Sequence, residues 1–166
     1  MVWIVGVEAF DSAVARGLWR AYYTEVSDRW YLARGGVGTE PGELERGIAA
    51  TSGSELAPPG GRLLVAWYDG KAVGTAGVRL LDTTTAELTR VFLQKWVRGK
   101  GGAALLVAAA EEAARELGAT RMVLDTRSDL VEARGLYKRL GYLETQPHND
   151  SRYAEHWFSK RLDAGA

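Results

Sequence analysis

The chain has 166 residues, a length typical of one globular domain that can bury a full hydrophobic core. Lys and Arg number 21 and Asp and Glu number 21, and this zero net charge disfavours a nucleic-acid binder that works by neutralising phosphates. The sequence contains no cysteine, which excludes disulfide scaffolds, thiolate zinc sites, iron–sulfur clusters and cysteine nucleophiles.

Apolar segments in the sequence are short. The N-terminal apolar run has no basic start and is too short for a signal peptide, and the longest small-apolar run, residues 101–110, stops at Glu111 and Glu112. We therefore expect a cytoplasmic protein with no membrane partner and no nucleic-acid partner.

The first third of the chain is predicted to be mostly helical and is rich in aromatic residues. Residues 2–10 have the pattern of a strand, Ser12 is positioned to cap a helix running to about residue 28, and residues 40–50 form a second, shorter helix. Residues 51–61 contain Ser, Gly and two prolines, a composition typical of a loop.

Three antiparallel strands are predicted after this loop, at residues 62–68, 71–81 and 87–93. Asp69 and Gly70 between the first two are a strong signal for a hairpin, because Gly tolerates the positive φ of a type I′ turn. The connections are too short for anything other than antiparallel neighbours.

Helices and strands alternate in the rest of the chain. Residues 102–117 keep helical spacing up to Gly118, residues 121–125 form a buried strand, and Asp129 with Glu132 resembles a capping box at the start of a helix reaching Gly141. The last strands are predicted at 142–144 and 153–161. Together these elements predict a mixed α/β fold (an α+β mixed sheet), with an antiparallel meander followed by a β-α-β-α-β segment. Residues 1–166 are predicted to form a single domain.

The most informative segment is a glycine-rich stretch, residues 98–102, that joins the strand 87–93 to the helix 102–117. Helix N-termini carry unpaired N–H groups and a partial positive charge, and Gly allows the backbone to approach a phosphate closely. Arg98 and Lys100 add cationic charge. The stretch therefore predicts an anion site, although a glycine-rich turn that only starts a helix remains an alternative, and no P-loop motif is present.

Two motifs in this order resemble one family. Arg98, Gly101 and Ala103 have the spacing of the Arg/Gln-x-x-Gly-x-Gly/Ala acyl-CoA pyrophosphate loop of the GNAT N-acetyltransferases. Residues 133–142, Ala-Arg-Gly-Leu-Tyr-Lys-Arg-Leu-Gly-Tyr, resemble the A-x-x-L-Y-x-x-x-G-[FY] signature of the same family. The resemblance covers about residues 62–160.

The resemblance implies the GNAT acyl-CoA N-acyltransferase fold, with antiparallel N-terminal strands, a splayed parallel pair and flanking helices. It implies acetyl-CoA as co-substrate, bound in the cleft where the parallel strands separate, and direct attack of an amine on the thioester. It also implies two groups of cofactor-binding residues. The strand that pairs with the pantetheine arm contributes Val91, Phe92 and Leu93. The pyrophosphate loop contributes Arg98, Gly99, Lys100, Gly101, Gly102 and Ala103.

Tyr137 matches the tyrosine that usually protonates the leaving thiolate in this family. A phenol with a pKa of about 10 holds its proton at neutral pH and suits this role. The alternative is a core aromatic residue, because Ala133, Leu136 and Leu140 share its helix face.

Glu87 opens the strand that leads into the glycine-rich stretch. Many GNAT enzymes place a base, or a water linked to a base, at the position of Glu87 in this strand. Its carboxylate is a candidate to take the proton of the acceptor ammonium. The alternative is a strand-end carboxylate paired with Arg90 or with solvent, although the two residues lie on opposite faces of a regular strand.

The sequence departs from the family pattern at two positions. Lys95 replaces the common proline after the strand, and Leu130 replaces an asparagine that usually contacts the CoA arm. The second change removes one expected cofactor contact.

The acceptor side is less defined. The first predicted helix carries five aromatic residues together with Glu25 and Asp28, an arrangement that suits a cationic amine but is also typical of core packing, notably for Trp19. The aromatic residues are Trp19, Tyr22, Tyr23, Trp30 and Tyr31. The C-terminal run contains His148 and His156, and His156 is a candidate base or a structural histidine. No metal site is expected, because the sequence has only two histidines and no cysteine.

The predicted function is transfer of an acetyl group from acetyl-CoA to a primary amine of an unidentified small-molecule or protein acceptor. The alternatives are a non-catalytic acyl-CoA-binding or sensor domain on the same fold, and a nucleotide-binding α/β domain. GNAT domains often dimerise, so a homodimer is compatible with the resemblance.

Overall fold

The computed structural model describes residues 2–163, which form a seven-stranded sheet with four helices. The strand order across the sheet is β1-β2-β3-β4-β5-β7-β6, and every neighbouring pair is antiparallel except β4 and β5. The strands are β1 Trp3–Glu8, β2 Gly61–Tyr68, β3 Lys71–Leu80, β4 Thr85–Leu93, β5 Arg121–Thr126, β6 Leu143–Thr145 and β7 His156–Arg161.

The helices are α1 Ala13–Gly35, α2 Pro41–Ala50, α3 Gly102–Glu116 and α4 Val131–Arg139. Short 3₁₀ turns cover Ser54–Leu56 and Lys95–Val97. The predicted α/β order is confirmed, and the described residues include no helix both long and apolar enough to cross a bilayer.

Helix α1 is longer than predicted. Ser12 caps it as expected, with the Oγ accepting from the Ala15 amide at 3.0 Å, but the helix continues past residue 28. No Gly or Pro lies between residue 28 and Gly35, and Gly36 then ends the helix at a φ of 75°. The extra turns carry Arg29, which pairs with Glu132 beside the site described below.

The capping box predicted for α4 is wrong. Leu130 occupies the N-cap position and provides no side-chain cap. Asp129 instead accepts two hydrogen bonds from Arg127, and Glu132 pairs with Arg29 of α1. Both carboxylates are therefore used in ion pairs that a local pattern does not reveal.

The hairpin between β2 and β3 is confirmed. Asp69 has a φ of 48° and Gly70 a φ of 84°, as a type I′ turn requires. This hairpin sets the register in which β2 pairs with β3.

Strands β4 and β5 pair over three residues only, Thr85 to Glu87 with Arg121 to Val123. Beyond Glu87, none of the described residues of β5 continues the ladder, so the two strands separate and a cleft opens between them. A β-bulge further alters β4, because Arg90 and Val91 lie between the partners of Thr75 and Gly77, and Arg90 has a φ of 53°.

The two faces of the sheet support separate hydrophobic clusters. Leu64 belongs to the larger cluster, which includes side chains of α3 and α4, whereas the adjacent Leu63 packs with Leu56 and with Ala15 of α1. Successive side chains of a strand point to opposite faces, so α1 and α3 cover opposite sides of the sheet. The helices thereby enclose the cleft from both sides.

A polar network lies within the larger cluster. Tyr142, 1% exposed, donates from its hydroxyl to Glu111 of α3 at 2.8 Å, and Lys160 of β7 donates to the same carboxylate at 3.0 and 3.1 Å. Buried polar groups paired in this way connect α3 to the C-terminal strand.

Candidate active site

The loop after β4 has the backbone geometry of an anion site. Gly99 and Gly101 have φ values of 82° and 87°, and Gly101 is the N-cap of α3 without any side-chain capping bond. The first amides of a helix have no intrahelical partner, and here no side chain covers the cap. A Cβ at Gly101 would meet nothing within 4 Å, so glycine is needed for its conformation and for an open approach.

Gly102 also has a packing role that the sequence did not predict. A Cβ at this position would lie 2.3 Å from the ring of Trp3, so glycine is required for packing against β1. The Trp3 indole also donates from Nε1 to the carbonyl oxygen of Lys100 at 3.1 Å. Trp3 therefore supports the loop from behind, a contact between distant residues that sequence reasoning missed.

Arg98 is held by two neighbours. Its Nε donates to the carbonyl oxygen of Leu93 at 2.9 Å, and its Nη2 lies 2.9 and 2.8 Å from the two carboxylate oxygens of Glu25 on α1. The guanidinium thus links the end of β4 to α1 across the mouth of the loop, and the sequence did not predict these two contacts.

A cavity of about 430 Å³ extends from this loop into the cleft between β4 and α4; we call it the glycine-loop cavity. Lys100 is not among its lining residues, and its side chain is exposed. The other predicted cofactor-binding residues all line it, namely Val91, Phe92, Leu93, Arg98, Gly99, Gly101, Gly102 and Ala103.

A second cavity, of about 500 Å³, lies along residues 87–91 of β4, adjoins the first cavity and is called the acidic cavity here. Four carboxylates, those of Glu55, Glu87, Asp125 and Asp150, face two guanidinium groups, those of Arg79 and Arg90, so the lining carries excess negative charge. Such a lining favours a cationic ligand.

Tyr137 lies at the boundary of the two cavities and lines both. Its ring packs against Tyr142 and Phe158, so the residue belongs to the core cluster as well, but no group among residues 2–163 forms a hydrogen bond with its hydroxyl. Burial, with smaller contributions from Tyr22 and Asp125, raises the pKa of the phenol above its usual range. The phenol is therefore a proton donor at neutral pH.

Glu87 lines the acidic cavity, with 12% of its side chain exposed. The predicted alternative, pairing with Arg90, is wrong, because Glu87 accepts from Nε of Arg79 on the adjacent strand at 2.8 Å. Arg90 instead stacks its guanidinium 3.7 Å from the ring centroid of Trp19, following the bulge. The bulge is a backbone irregularity that side-chain periodicity does not disclose.

The aromatic residues of α1 divide into two groups. Tyr22 lines both cavities and contacts Phe92, with ring centroids 5.4 Å apart. Trp30 lies further along and is covered by guanidinium groups of this chain, with Arg34 3.2 Å and Arg127 5.4 Å from the ring centroid. Trp30 therefore already has cation partners.

The two histidines differ in their surroundings. His156 interacts through Nδ1 with Glu144 at 2.6 Å and through Nε2 with Ser128 at 3.0 Å, as a structural histidine does, and does not line the acidic cavity. His148 lies beside Glu87, with Nε2 4.0 Å from Oε2. The sequence pattern around His148 predicted no role for this residue.

Comparison with known proteins agrees with this geometry. The model of the acetyltransferase (GNAT) family matches residues 15–142. The uncharacterised N-acetyltransferase YjgM of Escherichia coli (strain K12) is 38% identical over 87 residues, a match that covers 51% of this chain and 52% of that relative.

Two solved structures share the fold. A GNAT-family acetyltransferase from Staphylococcus aureus Mu50 superposes with a TM-score of 0.73 at 15% identity, covering 97% of this chain and 99% of the other. The PaiA N-acetyltransferase from Thermoplasma acidophilum, in complex with coenzyme A, gives a TM-score of 0.72 at 15% identity with the same coverage. At 15% identity the two solved structures establish only that the fold is the same. The family model, in contrast, matches the sequence itself over residues 15–142. The chain belongs to the acetyltransferase (GNAT) family.

Proposed function

We propose that this protein transfers an acetyl group from acetyl-CoA to the primary amine of a cationic acceptor. The observation that carries the proposal is the position of Tyr137, whose phenol borders both the glycine-loop cavity and the acidic cavity. A donor in one cavity and an acceptor in the other would meet beside a protonated phenol.

Acetyl-CoA fits the glycine-loop cavity on two grounds. The uncapped N-terminus of α3 offers amides to a pyrophosphate, and β4 past Glu87 has backbone groups without a β5 partner, suited to the amides of an extended pantetheine arm. The solved PaiA N-acetyltransferase, which has the same fold, is in complex with coenzyme A. Leu130 also lines this cavity and offers the arm apolar contact only.

The chemistry requires three proton transfers. The acceptor enters as an ammonium and gives one proton to the Glu87 carboxylate, and the nitrogen lone pair then forms a C–N bond with the thioester carbonyl carbon. The C–S bond breaks and Tyr137 gives its proton to the leaving thiolate. The second proton of the nitrogen returns to the Tyr137 phenolate, which leaves a neutral amide.

The excess of carboxylates in the acidic cavity supports a cationic acceptor such as a polyamine or an amino sugar over a neutral or acidic one. Both a small-molecule amine and the lysine side chain of a protein have this chemistry. The cytoplasm remains the predicted location.

The first experiment is a thermal-shift titration with acetyl-CoA, CoA and ATP side by side. A ligand at a hundred times its Kd adds roughly 2.7 kcal/mol of stability. Stabilisation by both CoA species and not by ATP supports the cofactor assignment, and release of free thiol in the presence of an amine panel then distinguishes an enzyme from a sensor. No response to either CoA species at millimolar concentration contradicts the proposal.

A further inference from the structure

A third cavity, of about 250 Å³, lies beside the acidic cavity and is called the aromatic cavity here. It is enclosed by α1, by Glu43 of α2 and by the segments that follow β5 and precede β7. Six aromatic side chains line it, namely Trp19, Tyr22, Tyr23, Trp30, Tyr31 and Tyr153. The steps of the proposed acetyl transfer leave this cavity without a role.

The rings from α1 face this cavity and not the core. Positions 19, 22, 23, 26 and 30 all line the cavity and lie on one face of the helix, as their spacing requires. Such a face usually packs into a hydrophobic core, yet none of the six aromatic residues belongs to either hydrophobic cluster of residues 2–163. Each of the six also keeps part of its surface exposed, so their rings are available to a ligand.

The aromatic cavity is continuous with the acidic cavity. Five residues line both of them, namely Tyr22, Asp125, Thr126, Leu130 and Ser151. The carboxylate of Asp125 therefore stands at the boundary between the two. An ammonium bound in the acidic cavity can carry a substituent that extends into the aromatic one.

The two cavities differ in charge. The acidic cavity has four carboxylates against two guanidinium groups, whereas the aromatic cavity, apart from Asp125 at the boundary, has one of each, Glu43 and Arg127. Glu43 already accepts from the Tyr31 hydroxyl, and Arg127 already donates to both oxygens of Asp129 at 2.9 Å. A lining with balanced, paired charges gives a second ammonium little attraction.

The tryptophan rings likewise suit an aromatic group better than a second cation. Arg90 lies 3.7 Å from the ring centroid of Trp19, and Arg34 lies 3.2 Å from that of Trp30, so a second ammonium would compete with guanidinium groups for these rings. An aromatic ring can instead pack edge to face, as Tyr153 does against Trp30 with the ring centroids 4.9 Å apart.

The volume agrees with this occupant, because a cavity of about 150 Å³ accommodates benzene, and about 250 Å³ therefore admits a phenyl or an indole ring. We propose that the acceptor is a primary amine that carries an aromatic ring, with its ammonium in the acidic cavity and its ring in the aromatic cavity. This inference rests on the proposed acetyl transfer and names the acceptor class for it.

The test uses three amines and the full chain saturated with CoA. 2-Phenylethylamine and n-butylamine have the same charge and differ in the ring, whereas 1,4-diaminobutane adds a second ammonium to the butyl chain. Calorimetry gives the Kd of each amine for the CoA complex, and release of free thiol from acetyl-CoA gives kcat/KM.

We expect 2-phenylethylamine to bind at least about tenfold more tightly than n-butylamine, because its ring leaves water on binding. The ratio of the two kcat/KM values should favour 2-phenylethylamine by a similar factor. The Kd of 1,4-diaminobutane should lie within about threefold of that of n-butylamine, because the aromatic cavity does not attract the second charge.

Tyr153→Ala removes an exposed part of the cavity wall. Trp96→Ala is the matched control, because Trp96 is similarly exposed and lines none of the three cavities. Tyr153→Ala should raise the Kd of 2-phenylethylamine at least about threefold and leave that of n-butylamine unchanged, since only the ring loses a contact. Trp96→Ala should change neither Kd.

Three results would overturn the inference. They are equal Kd values for 2-phenylethylamine and n-butylamine, binding of 1,4-diaminobutane more than about threefold tighter than that of n-butylamine, and an equal loss of both monoamines in Tyr153→Ala. Acetylation of n-butylamine without any preference for the ring would contradict this inference alone. Ring-selective binding without acetyl transfer to any amine would support the ring site and contradict the proposed function.

Discussion

The guanidinium of Arg98 and the carboxylate of Glu25 form an ion pair across the mouth of the glycine-loop cavity, with Nη2 2.9 and 2.8 Å from the two oxygens. A pyrophosphate bound at the loop would experience the negative charge of Glu25. We expect Glu25→Gln to tighten CoA binding roughly two- to five-fold, equivalent to about 1 kcal/mol or less, in calorimetry at low salt.

Glu45→Gln is the control for this change, because Glu45 pairs with Arg20 away from the cavity. Arg98→Ala should act in the opposite direction, since it removes both a cation and the hydrogen bond to Leu93. Weaker CoA binding in Glu25→Gln would show that the ion pair organises the loop rather than competing with the ligand.

Gly101 offers a way to test the anion site directly. Both Asp and Asn tolerate the left-handed backbone better than most residues, so Gly101→Asp and Gly101→Asn introduce similar strain. The Asp variant alone adds a negative charge beside the uncapped helix end. We expect its Kd for CoA to exceed that of the Asn variant by about tenfold, and equal affinities would remove the pyrophosphate from this loop.

Tyr137→Phe should reduce kcat by about 10²-fold or more while leaving the Kd for CoA nearly unchanged, because the ring keeps its packing and only the proton donor is lost. Burial raises the pKa of Tyr137, so the wild-type phenol stays protonated to higher pH than a free one. The kcat of the wild type should therefore show no loss attributable to this group below about pH 10. Normal turnover in the Phe variant would assign the proton to another donor.

The Glu111 network predicts a stability difference between adjacent residues. Glu111→Gln removes the charge that pairs with Lys160 and weakens the bond from Tyr142, at a cost of roughly 1 to 3 kcal/mol. Glu112→Gln, at the next and exposed position, should change the free energy of unfolding by less than about 0.5 kcal/mol. Urea denaturation compares the two, and equal effects would contradict a structural role for the network.

The structural features that were predicted correctly are local in sequence. The loop from Arg98 to Ala103 follows a strand and opens a helix, and the signature around Tyr137 lies on one helix face. The Asp69–Gly70 turn likewise depends only on backbone preferences of two residues. Such features are visible because the residues that form them are neighbours in the chain.

The parts that were missed depend on contacts between distant residues. Trp3 and Lys100, and Glu25 and Arg98, are joined only by the order of strands and the path of α1. The β-bulge in β4 changes the face of the sheet to which the Arg90 side chain points, and the pattern of residues does not predict this bulge. His148 belongs to a loop whose position over β4 and β5 is set by tertiary packing.

The short parallel pairing of β4 with β5 also has a mechanical consequence. Only three residue pairs join the β1–β4 part of the sheet to the part made of β5, β7 and β6, so few backbone hydrogen bonds oppose the separation of the two parts. A ligand that contacts both parts would hold them together. We expect it to slow amide exchange in β5 and β7 as well as in β4, and to make the two parts unfold together.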